Sequence, residues 1–393
     1  MAKILEIFAF GKYLFFLNEV ELKRLLILSF GILRAGTVNL RAVTDEIDFE
    51  QSGRSTWDSQ YNYVLKTFQT GDVEKIIRQV FNILVILFYG GEESVKILID
   101  RTNWEKGEDD VNVLSIGLLY KERIFIPLIG EDLGHKGNSD SETRILLTDK
   151  LLEWWGAMQI PVPEFIIVGD REFIGEEWLN ALARREVNYV IRLKANLKFE
   201  VWLKDTYKMG KKFGVQTLHR YIQRYDKQML ELVLAGESIA QIRVLKNEGK
   251  QATTQPYLYL ITNIEQPDLA GAVYRQRWKI ETCFAYLKSK GLNLEVFNLS
   301  GTHKTDILMA VLTLVYALIV KTGEEIQQEE PPKMVQYSNG KVYPRVSAYK
   351  AGKRKLAKIK TFEQFVAFMT TIFEKIIDKW QNLKQLHIKI LSG

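Results

Sequence analysis

The chain has 393 residues, 47% of them hydrophobic and 26% charged. That is the composition of a folded soluble protein with ample core material, and it excludes a disordered chain or a small scaffold that needs staples. A formal net charge of +6 favours an anionic partner, of which nucleic acid is the commonest, and the single cysteine, Cys283, excludes an intrachain disulfide and a zinc cluster built on cysteines.

The opening stretch, MAKILEIFAFGKYLFFLNE, is apolar but has no small-residue cleavage site after a clean apolar core, so it does not read as a signal peptide. Asn18 can cap a helix through Ala35, with Gly36 as its stop. A second short segment starts at Thr37, a third helix spans Ser55 to Gln69, and a fourth spans Val73 to Tyr89. The first two fit a helix-turn-helix and equally a plain helical bundle. Residues 1–92 are therefore expected to be a helical N-terminal region that binds DNA.

From Val95 the hydrophobic period changes. KILIDRTNW reads as a short apolar strand closed by Asp100. Val111–Tyr120 and Arg123–Ile129 read as two more strands joined by a tight turn at Lys121-Glu122, and such short spacing means antiparallel neighbours. A helix from Asp140 to Gly156 follows. The strand PEFIIVGD ends in Asp170, a helix runs from Gly175 to Arg184, and NYVIRLK is the next strand. This pattern predicts a mixed α/β sheet. Residues 196–256 read as a β-rich insertion, after which YLYLITN resumes the α/β pattern. A long helix from Asp268 carries YRQRWKIETCFAYLKSKG. Residues 300–322 form an apolar helix whose longest run, Ile307 to Val320, is too short to span a bilayer and reads as core. Residues 326–393 read as a basic loop and a C-terminal helix.

Phosphodiester cleavage by two metal ions needs carboxylates that converge on ions roughly 3.5–4 Å apart. Asp100 and Asp170 are placed for this, because ligands gather at the carboxyl ends of strands in open α/β sheets. On the later helix, Tyr274, Arg277, Glu281 and Lys288 fall within roughly a 60° arc at about 100° per residue. One helix thus offers a carboxylate for metal beside two cations and a phenol for phosphate. A solvated face with an Arg277–Glu281 ion pair is the plainer reading of the same spacing.

The spacing Y-x2-R-x3-E-x6-K in YRQRWKIETCFAYLK resembles the signature of bacterial transposases of the insertion-sequence-4 family. LIDRTNW and IIVGDREF resemble the family's two aspartate segments, and HKGNSD and LKSKGLNLE are similar to further family segments. The resemblance covers about residues 95–322. It implies an RNase H-like core with a β-rich insertion and a DDE triad of Asp100, Asp170 and Glu281 holding two Mg²⁺ or Mn²⁺ ions. It also implies that Tyr274, Arg277 and Lys288 contact DNA phosphates. The implied activity is cut-and-paste transposition: cleavage of transposon ends, a hairpin intermediate, and joining of the 3′-OH ends to target DNA by a homodimer. The expected setting is the bacterial cytoplasm, at the nucleoid. A nuclease without strand transfer and a transposase-derived DNA-binding protein are the alternatives.

Trp278, Trp104 and Trp202 are candidates to stack on a flipped base, although core packing is the favoured reading for each. Residues 350–360, KAGKRKLAKIK, carry six basic residues and no acidic one, with Lys353, Arg354 and Lys355 at their centre. They read either as a DNA-backbone contact or as a solvated loop. The last helix, with Phe362, Phe365, Val366, Met369, Phe373, Ile376 and Trp380 at helical spacing, is expected to pack on the core. The four histidines are scattered without metal-ligand spacing, and the sequence has no Walker loop.

Overall fold

The computed structural model describes residues 1–11, 14–48, 53–106, 109–194, 198–201, 213–217, 229–234, 238–247, 256–336, 340 and 342–392. The N-terminal helices are α1 (Ala2–Phe10), α2 (Glu19–Ala35), α3 (Leu40–Asp45), α4 (Trp57–Thr70) and α5 (Val73–Phe88). Their boundaries follow from local chemistry. Asn18 and Glu21 form a reciprocal capping box, each side chain bonded to the other's backbone N–H, at 3.0 and 2.9 Å. At the other end of α2, Gly36 takes a left-handed φ of 63° and closes the helix. Asp72 caps α5 by accepting from the Lys75 N–H at 3.1 Å.

The main sheet begins with a meander of β1 (Ser94–Lys106), β2 (Asp109–Tyr120) and β3 (Ile124–Asp132), all antiparallel. Lys121 and Glu122 have φ of 48° and 56°, the pair of left-handed conformations that a two-residue hairpin turn with the sheet's own twist requires. Helix α6 (Ser141–Ala157) leads to β4 (Glu164–Gly169), and α7 (Glu176–Arg184) leads to β5 (Asn188–Arg192). β4 is parallel to both β1 and β5, so the two helices are crossovers.

Within residues 196–256 the described strands are β6 (Lys198–Val201), β7 (Phe213–Thr217), β8 (Met229–Leu234) and β9 (Ser238–Lys246). β6 and β7 pair with each other, whereas β8 and β9 extend the main sheet through β10 (Tyr257–Thr262). The sheet order is β3-β2-β1-β4-β5-β10-β9-β8. It is a mixed sheet of the RNase H-like kind, as the sequence predicts. Trp202 lies outside the described residues.

After β10 come α8 (Ala270–Arg275), α9 (Trp278–Ala285), α10 (Thr302–Glu329), a small hairpin of β11 (Met334–Gln336) and β12 (Val342–Pro344), α11 (Ala348–Leu356) and α12 (Phe362–Ser392). Helix α10 is long and apolar enough to cross a membrane, but 89% of its apolar window is buried inside the protein. It packs on β3, α2, α4, α5 and α11, which is why it is apolar all round.

Residues 350–356 of the basic run expected as a loop lie instead in the helix α11. Ser347 caps it by accepting from the Lys350 N–H at 3.3 Å. A Cβ on Gly352 would lie 1.8 Å from the Ile319 carbonyl oxygen, and one on Gly323 would lie 1.8 Å from that of Ala348. Only glycine permits this backbone-to-backbone approach, and it locks α11 onto α10. Helix α12 buries Phe362, Phe365, Met369, Phe373, Ile376 and Trp380, and Val366 packs at the edge of the same core.

Candidate active site

β1 does not end at Asp100. It runs six residues further, to Lys106, because β2 goes on pairing with it and places Ser115 opposite Asp100. The expectation that Asp100 closes a strand is corrected in this respect. The parallel pairing of β1 with β4, however, stops at Leu98 and Val168. Asp100 therefore stands where the two parallel strands part, and Asp170 is the first residue beyond β4. Both aspartates lie at the carboxyl end of the β1–β4 pair, the position that the strand-end argument requires.

The helical segment after β10 is less regular than its spacing predicts. It breaks at Gln276 and Arg277, and after α9 it widens into a π-helical turn over Tyr286–Lys290. Val273, Ile280, Phe284 and Leu287 are buried, so the apolar face docks as expected. The opposite arc reaches the two aspartates. Arg277 Nη1 lies 2.7 Å from Asp100 Oδ2, and its Nη2 lies 2.8 Å from Glu281 Oε1. Tyr274 Oη donates to Asp170 Oδ1 at 3.1 Å. The plain Arg277–Glu281 pair is thus present, but it is half of a bridge that also holds Asp100.

Burial pushes the Asp100 carboxyl up to about 6, aided by the nearby carboxylates of Glu172 and Asp170 and opposed by the Arg277 guanidinium and the Arg101 N–H. Burial also raises the Tyr274 phenol, and Asp170 adds to this. Lys288 is the outlier of the arc. Its ammonium donates to the Asn103 carbonyl and lies 3.8 Å from Glu295, because the π turn carries it past the carboxylates to the flank of β1. Burial depresses its pKa.

One cation at the site was not foreseen. Arg192, the last residue of β5, places Nη1 3.7 Å from Asp170 Oδ1. The signal was an arginine in NYVIRLK at the end of a strand next to β4, but it becomes meaningful only once the strand order is known.

Trp278 is 63% exposed, which overturns its core-packing expectation. It sits two residues before the buried Ile280, hence about 200° around the helix from it and away from the sheet. Trp104 is buried as expected, and its Nε1 has no hydrogen-bond partner. Lys353, Arg354 and Lys355 lie on α11, beside the helix that carries Glu281. Tyr349 stacks on Tyr286 with ring centroids 4.1 Å apart, and Lys353 Nζ donates to the Gly291 carbonyl at 3.2 Å. Arg354, Lys355 and Lys290 are exposed and continue this basic surface.

Residues 96–318 match the family described as the transposase DDE domain. The chain belongs to the DDE transposases. No curated protein matches it. The matched span runs from β1 to α10, so the transposase's family region contains Asp100, Asp170, Glu281 and the helical segment bearing Tyr274 and Arg277. Three carboxylates are the hard oxygen donors that a small divalent ion prefers. As the side chains stand, no three His, Cys, Asp or Glu groups among the described residues converge tightly enough to share one ion. The Arg277 guanidinium lies between Asp100 and Glu281 and neutralises them instead. The donor set fits the ion in kind, and the Arg277 guanidinium occupies one oxygen of Asp100 and one of Glu281.

Proposed function

We propose that this DDE transposase cuts at transposon ends and joins the freed 3′-OH ends to target DNA, as the insertion-sequence-4 signature implies. The supporting observation is the Arg277 bridge, which brings the helix of Glu281 onto Asp100, with Tyr274 of the same segment on Asp170. In this reading Asp100, Asp170 and Glu281 would hold two Mg²⁺ or Mn²⁺ ions, which when bound activate the attacking oxygen and steady the leaving one. Arg277 turns from the carboxylates to the DNA backbone, where its planar fork can grip a phosphate in two places. Tyr274 donates a hydrogen bond to a phosphate oxygen, and Lys288 supplies a point charge at the edge of the site. Both chemical steps are in-line displacements at phosphorus, so one set of side chains serves both. The second strand is cut through a hairpin, and the exposed Trp278 stacks on the base that the hairpin extrudes. Two ends meet in a homodimer, and the N-terminal helices contribute to end binding.

The test is a joining assay. Cleaved ends should appear covalently linked to a supercoiled plasmid in the presence of Mg²⁺ and not after chelation. Cleavage without joined product would identify a nuclease and reject strand transfer.

The basic surface of α11 gives a second expectation. Lysine and arginine contacts to phosphate release counterions, so affinity falls as salt rises, with a slope of about 0.9 per contact on duplex DNA. Replacing Lys353, Arg354 and Lys355 by glutamine should flatten the salt slope by about 2 to 3 on that scale. Filter binding or fluorescence anisotropy across a salt series measures it. An unchanged slope would assign α11 to a solvated face.

A further inference from the structure

The strongest unassigned constellation lies on the other face of the sheet from the Asp100 carboxylate. Successive side chains of a strand point to opposite faces, so Arg101 projects away from Arg277. Its guanidinium has five N–H donors and uses all of them. Nε and Nη2 make a fork to Glu172 at 2.8 and 2.7 Å. Nη1 donates to Asn112 Oδ1 at 3.0 Å and to the Gly137 carbonyl, and Nη2 also reaches Asn138 Oδ1 at 3.0 Å. Arg144, 4% exposed on α6, ties down the same two loops. It donates to Ser139 Oγ at 2.9 Å, to the Ser139 carbonyl, to the Glu172 carbonyl at 3.1 Å and to that of Ile174 at 3.4 Å.

We infer that Arg101 and Glu172 are positioning residues that set the distance between the two strand-end aspartates. Arg101 adjoins Asp100 in β1, and Glu172 lies two residues beyond Asp170. The bidentate pair therefore spans the opening where β1 and β4 cease to pair. The loop of His135–Ser139 serves as its third anchor, through Gly137 and Asn138, and Asn112 of β2 holds that loop by donating to the His135 and Gly137 carbonyls at 2.9 Å. In the loop after β4, the Phe173 N–H donates back to the Asp170 carbonyl at 2.9 Å. The inference rests on the metal-site reading of the aspartates and adds what holds them in register for the ion.

The consequence is a selectivity for ion size. Mg²⁺ demands near-ideal octahedral geometry at roughly 2.0–2.1 Å, whereas Ca²⁺ accepts six to eight ligands at roughly 2.3–2.6 Å in flexible arrangements. A loosened pair of aspartates should reject Mg²⁺ before it rejects Ca²⁺. Partners that orient metal ligands typically alter affinity by about 10- to 100-fold.

The experiment is calorimetric titration of the full-length protein with Mg²⁺ alone and with Ca²⁺ alone, paired with a thermal melt. Arg101→Lys keeps the charge and loses the fork. It should weaken Mg²⁺ about tenfold or more while Ca²⁺ changes less than about threefold, with the melting temperature nearly unchanged. Glu172→Gln, which cuts the clamp at its other end, should shift the ratio in the same direction. An unaltered Mg²⁺ to Ca²⁺ ratio in both variants, or a parallel loss of both ions with a lowered melt, overturns the positioning role. If the unaltered protein binds no Mg²⁺, or binds it equally well after Asp170→Asn, the metal-site reading itself fails, and this inference falls with it.

Discussion

Asp170→Asn should abolish cleavage of end DNA and leave the fold intact. Asp170 stands just past β4, half-exposed, and its side chain receives the Arg171 N–H at 2.8 Å and the Tyr274 hydroxyl at 3.1 Å. Asparagine retains one oxygen for these donors but cannot hold a divalent ion with the charge of a carboxylate. Loss of the ion's charge stabilisation removes several kcal/mol, and at about 1.4 kcal/mol per decade the rate should fall about 10³-fold or more. Asp100→Asn and Glu281→Gln should be equally inactive. Asp100→Asn has a second signature. The folded state holds this carboxyl at about 6, above the ordinary value of 3.8, so its ionisation opposes folding. That cost is absent below pH 3.8 and complete above pH 6. The variant should therefore melt higher than the native protein at pH 8, by a margin that vanishes toward pH 4. Retained cleavage by any of the three variants would remove that residue from the triad. A lower melt for Asp100→Asn at pH 8 would mean that its bond to Arg277 outweighs its burial.

Arg277→Ala should separate binding of the ion from binding of DNA. The guanidinium contacts Asp100 at 2.7 Å and Glu281 at 2.8 Å and is largely buried, so it competes with a metal ion for the same oxygens. Two unit charges 4 Å apart at an effective dielectric of about 20 attract by about 4 kcal/mol, enough to matter against a hydrated divalent ion. Without DNA, the alanine variant should bind Mn²⁺ at least about tenfold more tightly than the native protein. Cleavage should nevertheless fall by about 10²- to 10³-fold, the usual cost of losing one donor aimed at transition-state charge. Arg277→Lys should recover part of the cleavage, because an ammonium neutralises a phosphate without the two-point grip. Calorimetry with Mn²⁺ and a single-turnover cleavage assay measure the two effects. Weaker Mn²⁺ binding in the alanine variant would show that Arg277 holds Glu281 in place rather than competing for it.

Much of the fold, and part of the site, is legible in the chain itself. Asn18, Gly36, Asp72 and Asp140 mark helix ends through their own side-chain or backbone chemistry, and such local signals survive any tertiary context. The arc of Tyr274, Arg277 and Glu281 is legible for the same reason, because the short turn at Gln276 and Arg277 keeps the two helices α8 and α9 nearly in phase. Lys288 is not, since a π turn shifts its phase and no local residue preference announces that turn. Arg192, Arg101 and Glu172 were invisible as site residues, because their partners come from strands and loops distant in sequence. The helical state of residues 350–356 is hidden by their charge. Only the contact of Gly323 with Ala348 and of Gly352 with Ile319 reveals why they are held against α10.

The placement of α10 bears on how such a protein can change over generations. This helix is a party wall: α2, α4 and α5 lean on one flank, β3 on another, and α11 on a third. An N-terminal segment imported from an unrelated protein would have to reproduce the packing of α2, α4 and α5 on this buried helix, including the approach of Gly71 to Ile307. Leaving that flank bare would cost about 25 cal/mol for every Å² of apolar surface returned to water. Change in the N-terminal helices should therefore arise by drift of single residues on their outer faces, and wholesale exchange of the segment should be rare.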